Sequence, residues 1–143
     1  MRALIGTYRG MTYLPRLLRS LDEYAVGITE LAFIDDSADP ETASVLARMG
    51  SHIDVGGKGY NAAMKAACAA AGGTAVWLEE DFYLTALVDF TSLAERVESD
   101  ERLAQIVLQR QPWFPNEKRA GGVIEACQAR GEVFVKEGEI FTH

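Results

Sequence analysis

The chain predicts an α/β fold: a mostly parallel sheet with helices on both faces, in a single domain spanning residues 1–143. Two observations carry this expectation. Short apolar runs of strand length alternate with stretches whose apolar residues recur at helical spacing, and that alternation calls for right-handed crossovers between parallel strands. A hydrophobic content of 48% supplies enough apolar material, at this length, for one compact domain burying roughly two thirds of its unfolded surface.

The elements follow in order. Ala3, Leu4 and Ile5 form a first apolar run broken by Gly6. After the turn Thr7-Tyr8-Arg9-Gly10, the residues Leu14, Leu17, Leu18 and Leu21 recur at helical spacing, with Thr12 placed as a cap and Pro15 in the first turn, where its missing N–H costs little. Residues 31–34 (Leu-Ala-Phe-Ile) make a second strand ending at Asp35-Asp36. Asp39-Pro40-Glu41 then supplies a cap, a first-turn proline and an acid suited to the helix dipole, and Val45, Leu46 and Met49 give that helix its buried stripe. A third run, residues 52–55, leads through Gly56-Gly57-Lys58-Gly59 into a helix from Tyr60 to about Ala71, closed by Gly72-Gly73. The fourth strand, residues 74–78, ends in Glu79-Glu80-Asp81. Beyond it the pattern is less regular: a helix near residues 90–98, an apolar run at 106–108, an aromatic loop Trp113-Phe114-Pro115, and a hairpin of residues 133–135 and 139–141 turning at Glu137-Gly138.

Charge narrows the function classes. A net charge of −7 argues against nonspecific nucleic-acid binding, which needs a surplus of Lys and Arg to displace phosphate counterions. The stretch through Arg19 nevertheless carries Arg2, Arg9, Arg16 and Arg19 without an acid, so a local anion site there is allowed. Cys68 and Cys127 do not make a disulfide framework, and Cys68, in an alanine-rich segment, reads as a small apolar side chain; a reduced, cytoplasmic compartment fits. The N-terminus lacks a signal-peptide apolar region, and no stretch approaches the roughly 20 apolar residues that span a bilayer. Homo-oligomerisation is left open.

In open parallel sheets, ligands bind beyond the carboxyl ends of the strands. That rule gathers Thr7, Tyr8 and Arg9, then Asp35 and Asp36, the glycine loop, and residues 79–81 around one crevice. Three acids ending a buried strand repel one another unless a cation sits between them, and Mg²⁺ or Mn²⁺ suits one or two carboxylates with phosphates and waters completing its shell. Asp81 is the first ligand candidate and Glu79 the second, since alternation along a persisting strand sends Glu80 to the other side; the bland alternative is a solvated strand end. Asp35 and Asp36 are common turn residues, yet a carboxylate there also accepts from a uracil N3–H or a ribose hydroxyl. The glycine loop lacks both P-loop and dinucleotide spacing, so a simple turn competes with a phosphate cradle in which Lys58, Asn61 and Lys65 touch a diphosphate. His52 and His143 are too few for a metal or nucleophile constellation, and no nucleophile elbow is present. Trp113 and Phe114, with Arg110 and Gln111 upstream, serve either as packing anchors or as a platform for a sugar or base.

The ordered motifs Gly6-Thr7-Tyr8-Arg9, Ile34-Asp35-Asp36-Ser37, Gly59-Tyr60-Asn61 and Leu78-Glu79-Glu80-Asp81 resemble the nucleotide-sugar half of family-2 glycosyltransferases, over roughly residues 2–85. The segment Trp77-Leu78-Glu79-Glu80-Asp81-Phe82 and Arg110-Gln111-Pro112-Trp113 also resemble small glycosyltransferases of actinobacterial phages. The resemblance implies a GT-A, Rossmann-like fold with the acceptor half short or missing. It further implies metal-dependent transfer of a sugar from a nucleoside-diphosphate sugar, a UDP-sugar foremost, to an unknown acceptor. Thr7, Tyr8 and Asp35 or Asp36 would hold the nucleoside, and Asp81 would ligate the metal. Glu79 stands where the family's first motif Asp does, and Ser37-Ala38 replaces Gly-Ser. For the general base of an inverting reaction, Glu117 and Glu125 are the candidates by position. A nucleotidyltransferase acting on a sugar phosphate and a noncatalytic nucleotide-sugar-binding module are the competing expectations; the first lacks its usual Gly-rich, basic loop after the first strand.

Overall fold

The computed structural model describes residues 1–8, 12–108, 114–132, 135–137 and 140–142. The chain forms two compact units, Met1–Gln105 and Ile106–His143. In the first unit the elements run β1 (Arg2–Thr7), α1 (Leu14–Tyr24), β2 (Ala25–Val26), β3 (Glu30–Asp35), α2 (Pro40–Met49), β4 (Ser51–Asp54), α3 (Tyr60–Ala71), β5 (Ala75–Glu79), β6 (Val88–Asp89) and α4 (Phe90–Ser99). Four strands make a parallel sheet in the order β4-β3-β1-β5, and β2 pairs with β6 in a separate parallel ladder.

The expected α/β architecture is therefore present, with a parallel sheet and helices on both faces. Alternation along the strands decides which side chain serves which helix. Ala3, Ile5, Phe33 and Leu78 point to one face, where they pack with Leu14, Leu17 and Leu21 of α1 and Leu46 of α2. Leu4, Ala32 and Ile34 point to the other, where Ala63 and Ala67 of α3 and Val55 meet them. The chain adds β3 and β4 on one side of β1, then crosses back to add β5 on the other. A crevice opens where the strand order reverses in this way.

Local signals account for most boundaries. Asp39 caps α2 by accepting from the backbone N–H groups of Glu41 and Thr42, and from the Thr42 hydroxyl, which together hold its carboxyl below the usual value. Asp89 does the same for α4 through the Ser92 hydroxyl and the Thr91 and Ser92 amides, with its carboxyl likewise lowered. Gly72 ends α3 in the left-handed conformation that glycine adopts without steric penalty.

Some details depart from the sequence reading. Thr12 is not the cap of α1: Tyr13 occupies the cap position with no side-chain bond, and the helix starts on Leu14 with Pro15 behind it. Met49 is exposed, because the α2 residues that face the sheet are Thr42 and Leu46, one turn apart, with Val45 half-buried. Cys68 is exposed on α3 and belongs to no apolar cluster, the buried positions of that helix being Ala63 and Ala67. The apolar run at 106–108 forms neither strand nor helix, and Val107 is 78% exposed.

The second unit contains α5 (Pro115–Ala120), α6 (Val123–Gln128) and the antiparallel pair β7 (Val135–Glu137) and β8 (Ile140–Thr142). The two arms of the expected hairpin pair antiparallel, with Glu137 opposite Ile140; Val133, Phe134, Gly138 and Glu139 lie outside the described residues. Pro115 opens α5 with Phe114 at its cap, so these two residues of the expected aromatic loop form a helix start, and Trp113 lies outside the described residues. Among the described residues no helix is long and apolar enough to cross a membrane.

Candidate functional site

A cleft of about 450 Å³ lies at the carboxyl ends of β1, β3 and β5, beside the start of α3. Thr7 and Tyr8 reach it from β1, Asp36 from β3, Gly59 and Tyr60 from the α3 entry, and Glu79, Glu80 and Asp81 from β5. Thus one or more residues from each of the four motifs meet in one place.

The floor is set by a glycine and a tryptophan. Trp77 projects on the α3 side of the sheet and lies across Gly6 of the neighbouring strand so closely that a Cβ there would sit 2.6 Å from its ring. Only glycine accommodates that approach. The indole Nε1 is buried and has no hydrogen-bond partner among the described residues. Asp36, 6% exposed, completes the floor. Its Oδ2 accepts from the Gly59 N–H at 2.8 Å, which places a carboxylate at the positive end of α3, while its Oδ1 is buried without a partner among the described residues. An unpartnered acceptor and an unpartnered donor lining one cleft are costly in the free protein, and a ligand bringing a donor and an acceptor would satisfy both.

The mouth is aromatic. Tyr8 is 61% exposed and Tyr60 60%, so two flat rings line the cleft with most of their surface in water. Such rings favour a planar or sugar-bearing partner.

The acidic rim differs from the expectation of two acids on one side and one on the other. β5 ends at Glu79, where a bond from the Phe82 N–H to the Glu79 carbonyl closes a turn; strand alternation therefore stops and all three acids line the cleft. Glu80 is the buried one. Its Oε2 accepts from the Tyr8 N–H at 2.8 Å, and its own N–H donates to the Gly6 carbonyl, so it ties the β1 exit to the β5 exit. Asp81 is exposed and Glu79 half-buried. Among the described residues no three His, Cys, Asp or Glu side chains come together as a metal-holding group. Two carboxylates in one cleft nonetheless fit a hard cation that takes the rest of its shell from phosphate and water.

Other candidate residues fall elsewhere. Asp35 is buried behind the cleft: its Oδ2 lies 3.0 Å from His52 Nε2, and its Oδ1 accepts from the Ser37 N–H. It is a structural tether, and His52, too isolated in the sequence to be selected, is its partner. Lys58, Asn61 and Lys65 are exposed and do not line the cleft, and the Gly59 amide that a phosphate would need is engaged by Asp36. Arg9, with Arg110, Gln111, Trp113 and His143, lies outside the described residues. Arg2 sits at the opposite end of β1, paired with Glu30 at 2.8 Å. In the second unit Glu117 is buried, and its carboxylate accepts from the Phe114 N–H at 3.0 Å, capping α5; the Glu125 carboxylate folds back over Gly122.

Trp77, Tyr60 and Glu80 line the cleft without being singled out as site residues by the sequence: Tyr60 and Trp77 lie inside motifs that carry the resemblance but have no role assigned to them, and strand alternation sends Glu80 to the other side. Neither a family model, a curated protein nor a solved structure matches this chain.

Proposed function

We propose that this protein binds a nucleoside-diphosphate sugar, a UDP-sugar foremost, and transfers its sugar to an acceptor in a metal-dependent, inverting reaction in the cytoplasm. The observation that carries the reading is the meeting of a buried, half-satisfied Asp36 and an exposed tyrosine pair with the Glu79 and Asp81 carboxylates in one cleft. Asp36 would accept from the base or ribose, Tyr8 and Tyr60 would flank it, and Glu79 and Asp81 would hold Mn²⁺ or Mg²⁺. The cation, when bound, neutralises charge on the departing diphosphate. Kinship to family-2 glycosyltransferases, including small phage enzymes, belongs to the same proposal and rests on the order of the four motifs.

Thermal unfolding with UDP-, GDP- and TDP-sugars, each with and without Mn²⁺, tests it. A donor present at about a hundredfold its Kd stabilises the fold by about 2.7 kcal/mol, and Asp81→Ala should abolish the Mn²⁺-dependent part. No metal-dependent shift with any of these donors would overturn the reading.

A noncatalytic nucleotide-sugar-binding module is the second reading, favoured by one observation: the Glu117 carboxylate is already engaged in capping α5. Donor binding without transfer or donor hydrolysis at high protein concentration distinguishes it. Pyrophosphate release from a nucleoside triphosphate and a sugar phosphate would instead reveal a nucleotidyltransferase.

A further inference from the structure

We infer that the hollow between α1 and the segment following β5 is a second binding site, for the oxyanion group, phosphate or carboxylate, of a small-molecule ligand. The hollow is about 370 Å³ and is lined chiefly by Arg16, Arg19, Ser20 and Glu23 of α1 and by Tyr83 and Leu84. It shares no lining residue with the cleft, so it stands whether or not the nucleotide-sugar reading does.

Three features make it a built site. Arg16 and Arg19 are one turn apart on α1, so their side chains leave the same side of the helix. Like charges at that spacing repel, and in a chain of net charge −7 a carboxylate is the usual remedy; yet among the described residues neither arginine has an ion-pair partner. The acid at hand, Glu23, forms an ion pair with neither; beside Tyr24 it holds that phenol above its ordinary value. The guanidinium of Arg16 lies 3.5 Å from the centre of the Tyr83 ring. Stacking uses the flat face of the guanidinium and leaves its in-plane N–H fork free, the geometry that meets a carboxylate or phosphate with two parallel bonds.

The wall carrying Tyr83 is held in place. The Leu84 N–H donates to the buried Ser20 Oγ at 3.0 Å, and that hydroxyl donates onward to the Leu17 carbonyl at 2.8 Å. A fixed ring under one guanidinium, with a second cation beside it, lowers the entropy lost on capturing an anion. Both arginines are exposed, so solvent screens the contact and a dissociation constant on the order of 1 mM is expected for a bare ion.

Titration of the isotopically labelled protein with inorganic phosphate, and separately with sodium acetate, at constant ionic strength held with sodium chloride, tests the site by NMR. The expected result is saturable shifts of the Arg16 and Arg19 Nε–H signals and of the Tyr83 and Leu84 amides. Arg16→Ala and Arg19→Ala should each weaken binding about fivefold or more, and Arg16→Lys, which keeps charge but not the fork, should weaken it too. Saturation by phosphate alone assigns a phosphate group, by acetate alone a carboxylate, and by both the shared oxyanion chemistry. Non-saturating shifts indistinguishable from those of chloride, or equal affinity in Arg16→Ala and Arg19→Ala variants that retain the parent's circular dichroism, would overturn the inference.

Discussion

The two faces of the main sheet are built from different materials. On the α1 and α2 side the contact is made by large side chains, Leu14, Leu17, Leu21, Phe33, Leu46 and Leu78, all buried. On the α3 side it is made chiefly by alanines: Ala32, Ala63 and Ala67, with Ala62, Ala66, Ala70, Ala71 and Ala75 around them. Large side chains fill a face and hold stability; small ones let a helix backbone approach the sheet and leave room at its end. The candidate cleft lies on the alanine side, where the α3 entry meets Asp36 and where Trp77 occupies the space above Gly6.

If this division is right, truncation should hurt most on the leucine face. Leu17→Ala, at a fully buried position, is expected to cost about 2–5 kcal/mol, read as a shifted urea midpoint with little change in slope. The alanine face should respond to enlargement instead. Ala67→Leu is expected to cost about 1–3 kcal/mol by forcing α3 off the sheet, and a neutral outcome would show that the close approach is not what sets the packing.

The floor sharpens the comparison. Gly6→Ala places a methyl against the Trp77 ring and should destabilise by about 1–3 kcal/mol, while Trp77→Phe, which removes the offending ring edge, should recover part of that loss. Additive effects in the double variant would break the Gly6–Trp77 account. Behind the floor, His52→Ala leaves a buried oxygen of Asp35 without its partner and is expected to cost about 1–3 kcal/mol in the same denaturation assay.

The smallest effect concerns the α2 cap. The Asp39 carboxyl is lowered by the Thr42 hydroxyl and by the amides it accepts, so its contribution is complete above the ordinary carboxylate value and is lost as pH falls through the lowered one. Stability measured from pH 5 downward should therefore fall less steeply in Asp39→Asn than in the parent. Equal slopes would remove Asp39 from the acid response.

Much of this architecture was legible one residue at a time. Asp39-Pro40-Glu41 announced α2, Gly72-Gly73 closed α3, and four apolar runs located the strands of the main sheet, because caps, stops and periodicity are local physics. The motif residues Thr7, Tyr8, Asp36, Glu79 and Asp81 were legible as a set because strand ends in a parallel sheet share one edge. The division of labour between Asp35 and Asp36 was not. Adjacent in sequence, they point to opposite sides of the sheet edge, one to His52 and the other to Gly59 and the cleft. The role of Glu80 was hidden for a related reason: the turn after Glu79 abolished the alternation from which its direction had been read.

By itself the amino-acid order determined the alternation of β1, β3, β4 and β5 with α1, α2 and α3, the parallel sheet and the crowding of acids at the end of β5, since each depends on contacts within a few residues or on a rule of chain connection. Tertiary structure alone decided that Trp77 reaches over Gly6, that Glu80 ties β1 to β5, and that Arg16 rests on Tyr83. Those pairs lie far apart along the chain. Their meeting depends on strand order and helix approach, which no local pattern encodes.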